Sequence, residues 1–224
     1  MTQKAQAGKN EKMAGNPSKK KVEKPVEKNL AKPSVMPAGK EEVKPVAEKI
    51  IDTTRSAVPF DTGNIPGPKM ARAVMPAVPG KMLARAKRPL LIVGAEVHDA
   101  DVLARAVAIG KTGIQIAAVG NAYTSLGDKG LDVHYINMHA LASYLCDPNW
   151  KGLDGKGNYD LVVFFGITYY YVSQAISALK NFSNIKVISI DRYYHPNADM
   201  SFGNLKNDVF LAALDEVIKE LPKR

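Results

Sequence analysis

YDLVVFFGITYYYVSQAISAL (159–179) carries the fold in miniature. Its first part, Tyr159–Gly166, is an apolar run closed by a glycine, the pattern of a strand buried on both faces. In the second part Val172, Ala175, Ile176 and Leu179 recur at helical spacing, so one face of a helix looks back at that strand. A strand feeding straight into a helix is half of a βαβ unit.

The same pairing recurs on either side. PLLIVG (89–94) reads as a second buried strand, followed by a helix that Asp99 or Asp101 caps and that presents Val102, Leu103, Ala106 and Val107. Gly110 or Gly113 ends it. GIQIAAVG (113–120) is another buried strand, and DVHYIN (132–137) a short one. Met138, Leu141, Ala142 and Leu145 then take up helical spacing, and the glycine-rich DPNWKGLDGKGNYD (147–160) is a loop. NIKVISID (184–191) is the last strand, and a closing helix from about Asn207 turns Phe210, Leu211, Leu214, Val217, Ile218 and Leu221 inward. The alternation predicts an α/β fold: a doubly wound, Rossmann-like parallel sheet with helices on both faces.

The first 88 residues are of another kind. They hold 19 Lys and Arg against 8 Asp and Glu, a net of +11, while residues 89–224 carry −2. Ten of the 14 prolines fall there, but only one aromatic residue, Phe60. Residues 1–52 read as a disordered basic Lys/Pro arm, because the prolines break helices and little apolar surface is present to offset ordering. Residues 53–88 add Phe60, Ile65, Met70, Val74, Met75, Met82 and Leu83 to a proline-braced chain. That suits a docking strap laid over another surface, with a short helix from Gly80 leading into the domain at 89–224.

Several functions drop out. One cysteine, Cys146, makes no internal disulfide and no thiolate metal site. No apolar run reaches the roughly 18–20 residues of a membrane span, and the start of the chain lacks a signal-peptide core, so a cytoplasmic protein is expected. Glu residues interleaved with the lysines, and the lack of aromatics in the arm, argue against nucleic acid. Gly110-Lys111-Thr112 mimics the end of a P-loop, but Arg105 stands where its first glycine belongs. DGKGN (154–158) mimics a calcium loop, but Lys156 and Phe165 hold ligand positions. His98, His134, His139 and His195 have no metal-binding spacing, and no local signature marks a catalytic group.

Ligands of such sheets bind beyond the carboxyl ends of the strands. Those ends nominate Gly94, Glu96, Gly120, Asn121, Gly166, Thr168, Asp191 and Arg192 as nucleotide-binding residues. Glycine permits close backbone approach, Asp191 offers an acceptor to a ribose hydroxyl, and Arg192 a partner to a phosphate. GAEVHD (94–99) keeps only one glycine of G-x-G-x-x-G. Tyr169, Tyr170 and Tyr171 open a helix at the same edge, where a ring can stack on a flavin or a partner, or split between core and surface.

AKRPLLIVG (86–94), YINMHALASYLCDPNWKGLDGKGNYD (135–160) and NFSNIKVISIDRYYHPNADMSFGNL (181–205) closely resemble the epsilon-subunit family of the archaeal acetyl-CoA decarbonylase/synthase complex, over about residues 56–221. The resemblance implies a fold similar to the NAD/FAD-binding domains of deoxyhypusine-synthase type. It implies a non-catalytic accessory chain partnered with the carbon monoxide dehydrogenase alpha subunit in an α2ε2 unit. That partner holds the nickel–iron–sulfur clusters; the epsilon chain stabilises it or assists electron transfer to FAD. No family catalytic or metal residue carries over. The arm departs from the family's shorter N-terminus, so its role is not inherited. The alternative is a stand-alone FAD- or NAD-binding enzyme of sirtuin-like or thiamine-enzyme-like fold.

Overall fold

The computed structural model describes residues 50–63 and 65–222, so all but the last three residues of the basic arm lie outside the described residues. The strands are β1 (Arg72–Ala73), β2 (Pro89–Val93), β3 (Gln115–Ala118), β4 (Val133–Tyr135), β5 (Leu161–Phe165), β6 (Lys186–Ser189) and β7 (Met200–Ser201). They pair in parallel in the order β1-β7-β6-β5-β2-β3-β4. The chain winds outward from β2 through β3 to β4, then returns to the other side of β2 for β5 and β6. The direction of winding therefore reverses between β2 and β5, which is the switch point of the sheet.

Alternation along each central strand feeds two cores. Leu91, Val93, Ile116, Val163, Phe165 and Ile188 point to one face. There they meet α1 (Ala77–Arg85), α2 (Ala100–Gly110), the short α3 (Ala122–Leu126) and α6 (Asn207–Lys219) through Leu83, Val102, Ile109, Leu126, Phe210, Leu214 and Val217. Leu90, Ile92, Ala117, Val162, Phe164 and Val187 point to the other face. They pack under α4 (Met138–Cys146) and α5 (Tyr169–Phe182) through Met138, Leu141, Val172, Ile176 and Leu179. Each such Val, Leu, Ile, Met or Phe side chain stabilises the fold by about 1.5–3 kcal/mol on burial. This is why the central strands read as unbroken apolar runs instead of alternating ones.

The elements match the sequence reading closely, and the caps show why. Asp99 accepts hydrogen bonds from the amides of Asp101 and Val102 at the start of α2. Asn137 does the same for His139 and Ala140 at the start of α4. Helix α1 begins three residues before Gly80, because Pro79 falls in the first turn, where a missing N–H costs no intrahelical bond. Gly80 then lets α1 approach α6 closely: a Cβ there would lie 2.7 Å from the Val217 carbonyl and from Glu220 Cβ.

Residues 53–88 are laid along the domain. The Gly203 amide donates to Thr53 O (2.7 Å), the Thr53 hydroxyl donates to Val74 O, and β1 extends the sheet beyond β7. Among the described residues no helix is long and apolar enough to cross a membrane.

Candidate functional site

The turns that follow β2 and β5 close on each other. The Gly94 amide donates to Phe165 O (3.0 Å), and the Glu96 amide to Gly166 O (2.9 Å). A Cβ on Gly94 would stand 2.5 Å from Ile167 Cγ1 and 2.6 Å from the Gly166 carbonyl. The glycine thus serves an approach of backbone to backbone.

Asp191, at the end of β6, is turned inward and only 3% exposed. Its carboxylate accepts from the Gly166 amide and from the Ser189 hydroxyl (3.2 Å), tying the end of β5 to that of β6. Burial, and then the charge of Glu96, push its carboxyl up to about 8. Glu96 is itself raised by the protein packed around it, against a smaller lowering by Arg192. Arg192 donates to the Tyr193 hydroxyl and holds its guanidinium 4.9 Å from the centre of that ring.

Of the eight nominated residues, the fold gathers Gly94, Glu96, Gly166, Asp191 and Arg192 at the switch point. Thr168 is exposed beside them, just before α5. Gly120 and Asn121 stand one strand over, exposed at the end of β3. The start of α5 at Thr168 carries no side-chain cap, whereas the start of α2 is closed. The space before Gly94 is filled by Ile167 and Gly166, and the first amides of α2 are taken by the Asp99 carboxylate. Glu96 and Asp191 add acidic groups, with Arg192 as the cation beside them.

The burial of His195 and the crossing of Phe60 escaped the sequence, while the split of the tyrosine triplet is one of the readings it offered. His195 is 1% exposed, with Nε2 3.6 Å from Asp191 Oδ2, and burial pushes it down to about 4. Its ring stacks on Tyr169 at 4.6 Å. Tyr169 is buried while Tyr170 and Tyr171 face outward, so the triplet splits between core and surface. Phe60 of the strap crosses to this edge, with ring centroids 5.3 Å from Tyr169, 6.0 Å from Tyr170 and 5.2 Å from Tyr193. The single advance sign of this was that Phe60 is the one aromatic in the first 88 residues.

A cavity of about 570 Å³ lies where Ile50, Asp52 and Arg55 meet the start of α6 at Asp208 and Val209, and two more open at the amino edge. One of about 530 Å³ is lined by Cys146, Pro148, Asn158, Phe182 and Ile185. Another of about 220 Å³ is lined by Arg88, Gln115, Asp132, Asp154 and Tyr159. Among the described residues no group of three or more His, Cys, Asp or Glu is placed to hold a metal ion.

Residues 53–218 match the family described as CO dehydrogenase beta subunit/acetyl-CoA synthase epsilon subunit. The acetyl-CoA decarbonylase/synthase complex subunit epsilon of Methanothrix soehngenii is 48% identical over 182 residues, 79% of this chain and 97% of that one. Subunit epsilon 1 of the same complex is 47% identical in Methanosarcina barkeri, over 77% of this chain and all of the relative. In Archaeoglobus fulgidus it is 38% identical, over 72% and 91%. Shikimate dehydrogenase from Thermotoga maritima aligns with 64% of this chain and 63% of its own at 9% identity and a TM-score of 0.31, a likeness on which nothing rests.

Proposed function

The chain belongs to the CO dehydrogenase beta subunit/acetyl-CoA synthase epsilon subunit family, and from that premise we propose that it is a non-catalytic accessory subunit stabilising the CO dehydrogenase alpha subunit. One observation carries the reading. The switch point, where an enzyme of this fold holds its ligand, is closed by the chain's own groups: Gly94 against Ile167, Asp99 on α2, and Asp191 on Gly166. The cleft is spent on internal contacts, and the rings beside it face outward. A flavin has no part in this reading.

The test is the half-life of CO oxidation by the alpha subunit at elevated temperature, with and without the full chain. A half-life lengthened severalfold by a stoichiometric amount, with the initial rate unchanged, is the expected result. Equal half-lives would remove the stabilising role. Turnover of a nucleotide substrate by the chain alone would support a stand-alone enzyme instead.

A further inference from the structure

We propose that β4, the open edge of the sheet, pairs antiparallel with β4 of a second copy of this chain, about a two-fold axis at His134. The inference stands on the fold alone and is independent of the accessory reading.

The hydrogen bonds of β4 show which of its groups are spare. The Ile116 amide donates to Asp132 O (3.0 Å), and the Ile136 amide to Ala118 O (3.2 Å). With Ile116 opposite Val133 and Ala118 opposite Tyr135, the even-numbered residues of β4 serve β3. Val133 and Tyr135 therefore turn their N–H and C=O groups away from the sheet. Among the described residues nothing bonds to these four groups, and β4 ends the sheet.

The two edges of the sheet are built differently. β1 is two residues long, exposes Arg72, and has the Thr53 hydroxyl bonded to Val74 O at its end. Short strands and cations are how an edge avoids unwanted pairing. β4 instead shows Tyr135, 63% exposed, with the ring of Tyr123 from α3 6.2 Å away and half exposed itself.

What fits this edge is narrow. Gly127–Lys129 turns shortly before β4 and α4 starts at Met138 shortly after, so an added strand must be as short as β4. A second β4 meets that limit, and its spare groups match. Residues 133 and 135 are symmetric about 134, so antiparallel pairing sets Val133 against Tyr135 of the second copy. All four groups on each copy are then satisfied. An aromatic ring beside a β-branched side chain is a favourable cross-strand pair. On the other face His134, which bonds its own Asp132 (2.9 Å), meets the second copy's His134, with Asp132 of each chain diagonal to the other's imidazole. The basic excess of the chain does not oppose this contact. Residues 89–224 carry −2, and β1 with Arg72 lies at the far edge of the sheet.

The experiment takes the full-length chain alone, read by sedimentation velocity and native mass spectrometry. Wild type is expected to dimerise with rising concentration. Tyr135→Lys should raise the dimer Kd roughly tenfold or more while keeping wild-type melting. His134→Cys tests the register, because residues on the axis form a non-hydrogen-bonded pair about 4.5 Å apart at Cα, within disulfide reach. Mild oxidation should give a covalent dimer linked through residue 134 of both copies, while Tyr135→Cys, off the axis, should not link to itself. If wild type stays monomeric at every concentration, the inference falls. A dimer indifferent to Tyr135→Lys, or linked through Cys146 instead of residue 134, places the contact elsewhere and also overturns it. So does a chain monomeric alone whose His134→Cys variant links to the large subunit when the two are mixed, since the edge then belongs to that partner.

Discussion

At the amino edge of the sheet the polar groups bond one another. At the carboxyl edge the rings stand outward. Arg88, leading into β2, pairs with Asp154 (2.7 Å), donates to Gly157 O (2.9 Å) and holds the 147–160 loop down. The amides of Lys87 and Arg88 both donate to Asp160 (2.9 Å each). The Tyr159 hydroxyl donates to Gln115, whose amide donates to Asp132 (3.0 Å). At the other edge the inward groups are just as tightly bound, through Asp191, but among the described residues the rings of Phe60, Tyr170 and Tyr171 stand exposed. Both edges belong to one sheet, so the difference does not come from the fold. It comes from what the connecting segments do with their side chains: the 147–160 loop spends them on its own contacts, and the strap presents them.

Three substitutions sharpen or break this contrast. The largest effect falls at the switch point. Gly94→Ala drives a methyl into Ile167 and the Gly166 backbone, neither of which is a flexible end, and should cost about 3 kcal/mol in urea unfolding. A variant as stable as wild type would mean the switch point is open after all, and the cleft would return as a candidate active site.

Next comes the amino edge. Tyr159→Phe leaves the Gln115 carbonyl and the Leu153 amide without their partner and should cost about 1–3 kcal/mol. A neutral outcome would show that this network is no more committed than the ring surface opposite.

The smallest effect is a slope with pH. Asp191 moves from an ordinary 3.8 up to about 8 in the folded chain, so its contribution is full below pH 3.8 and is lost as pH rises toward 8. His195 acts at the other end. Lowered from 6.5 to about 4, it removes stability as pH falls through that range. Between pH 6.5 and 8 Asp191 therefore dominates of the two: wild-type Tm should fall as pH rises, and Asp191→Asn should flatten the slope while keeping an acceptor for Gly166. A slope that survives in Asp191→Asn would assign it to another group.

The sheet was legible in the sequence because its strands are buried on both faces, and burial on both faces leaves an apolar run that needs no partner to be seen. The switch point followed from the same strand ends. What was not legible depends on register across the sheet. β1 and β7 are two residues each, too short for any period, and they exist because Ala73 and Ser201 fall opposite one another. Asp191 read as an outward ligand, but alignment of β6 on β5 sets its carboxylate against the Gly166 amide. His195 is hidden for a similar reason: the 191–204 segment folds back beneath Tyr169, and nothing local in HPNAD announces it. The strap's apolar content was visible, but which side chains face inward was not. Val74 and Leu83 enter the core while Phe60 and Ile65 stay out, a division that only the hydrogen bonds donated to the strap by Asn204, Lys180 and Tyr194 decide.

The most direct test is native mass spectrometry of the chain recovered by pull-down from its own cells, with ultraviolet–visible spectra of the eluate. The account predicts a large nickel–iron–sulfur subunit at one-to-one stoichiometry and no nucleotide mass on the epsilon-family chain. A lone chain or homo-oligomer that carries its own nucleotide, with a flavin band near 450 nm or without one, would contradict it.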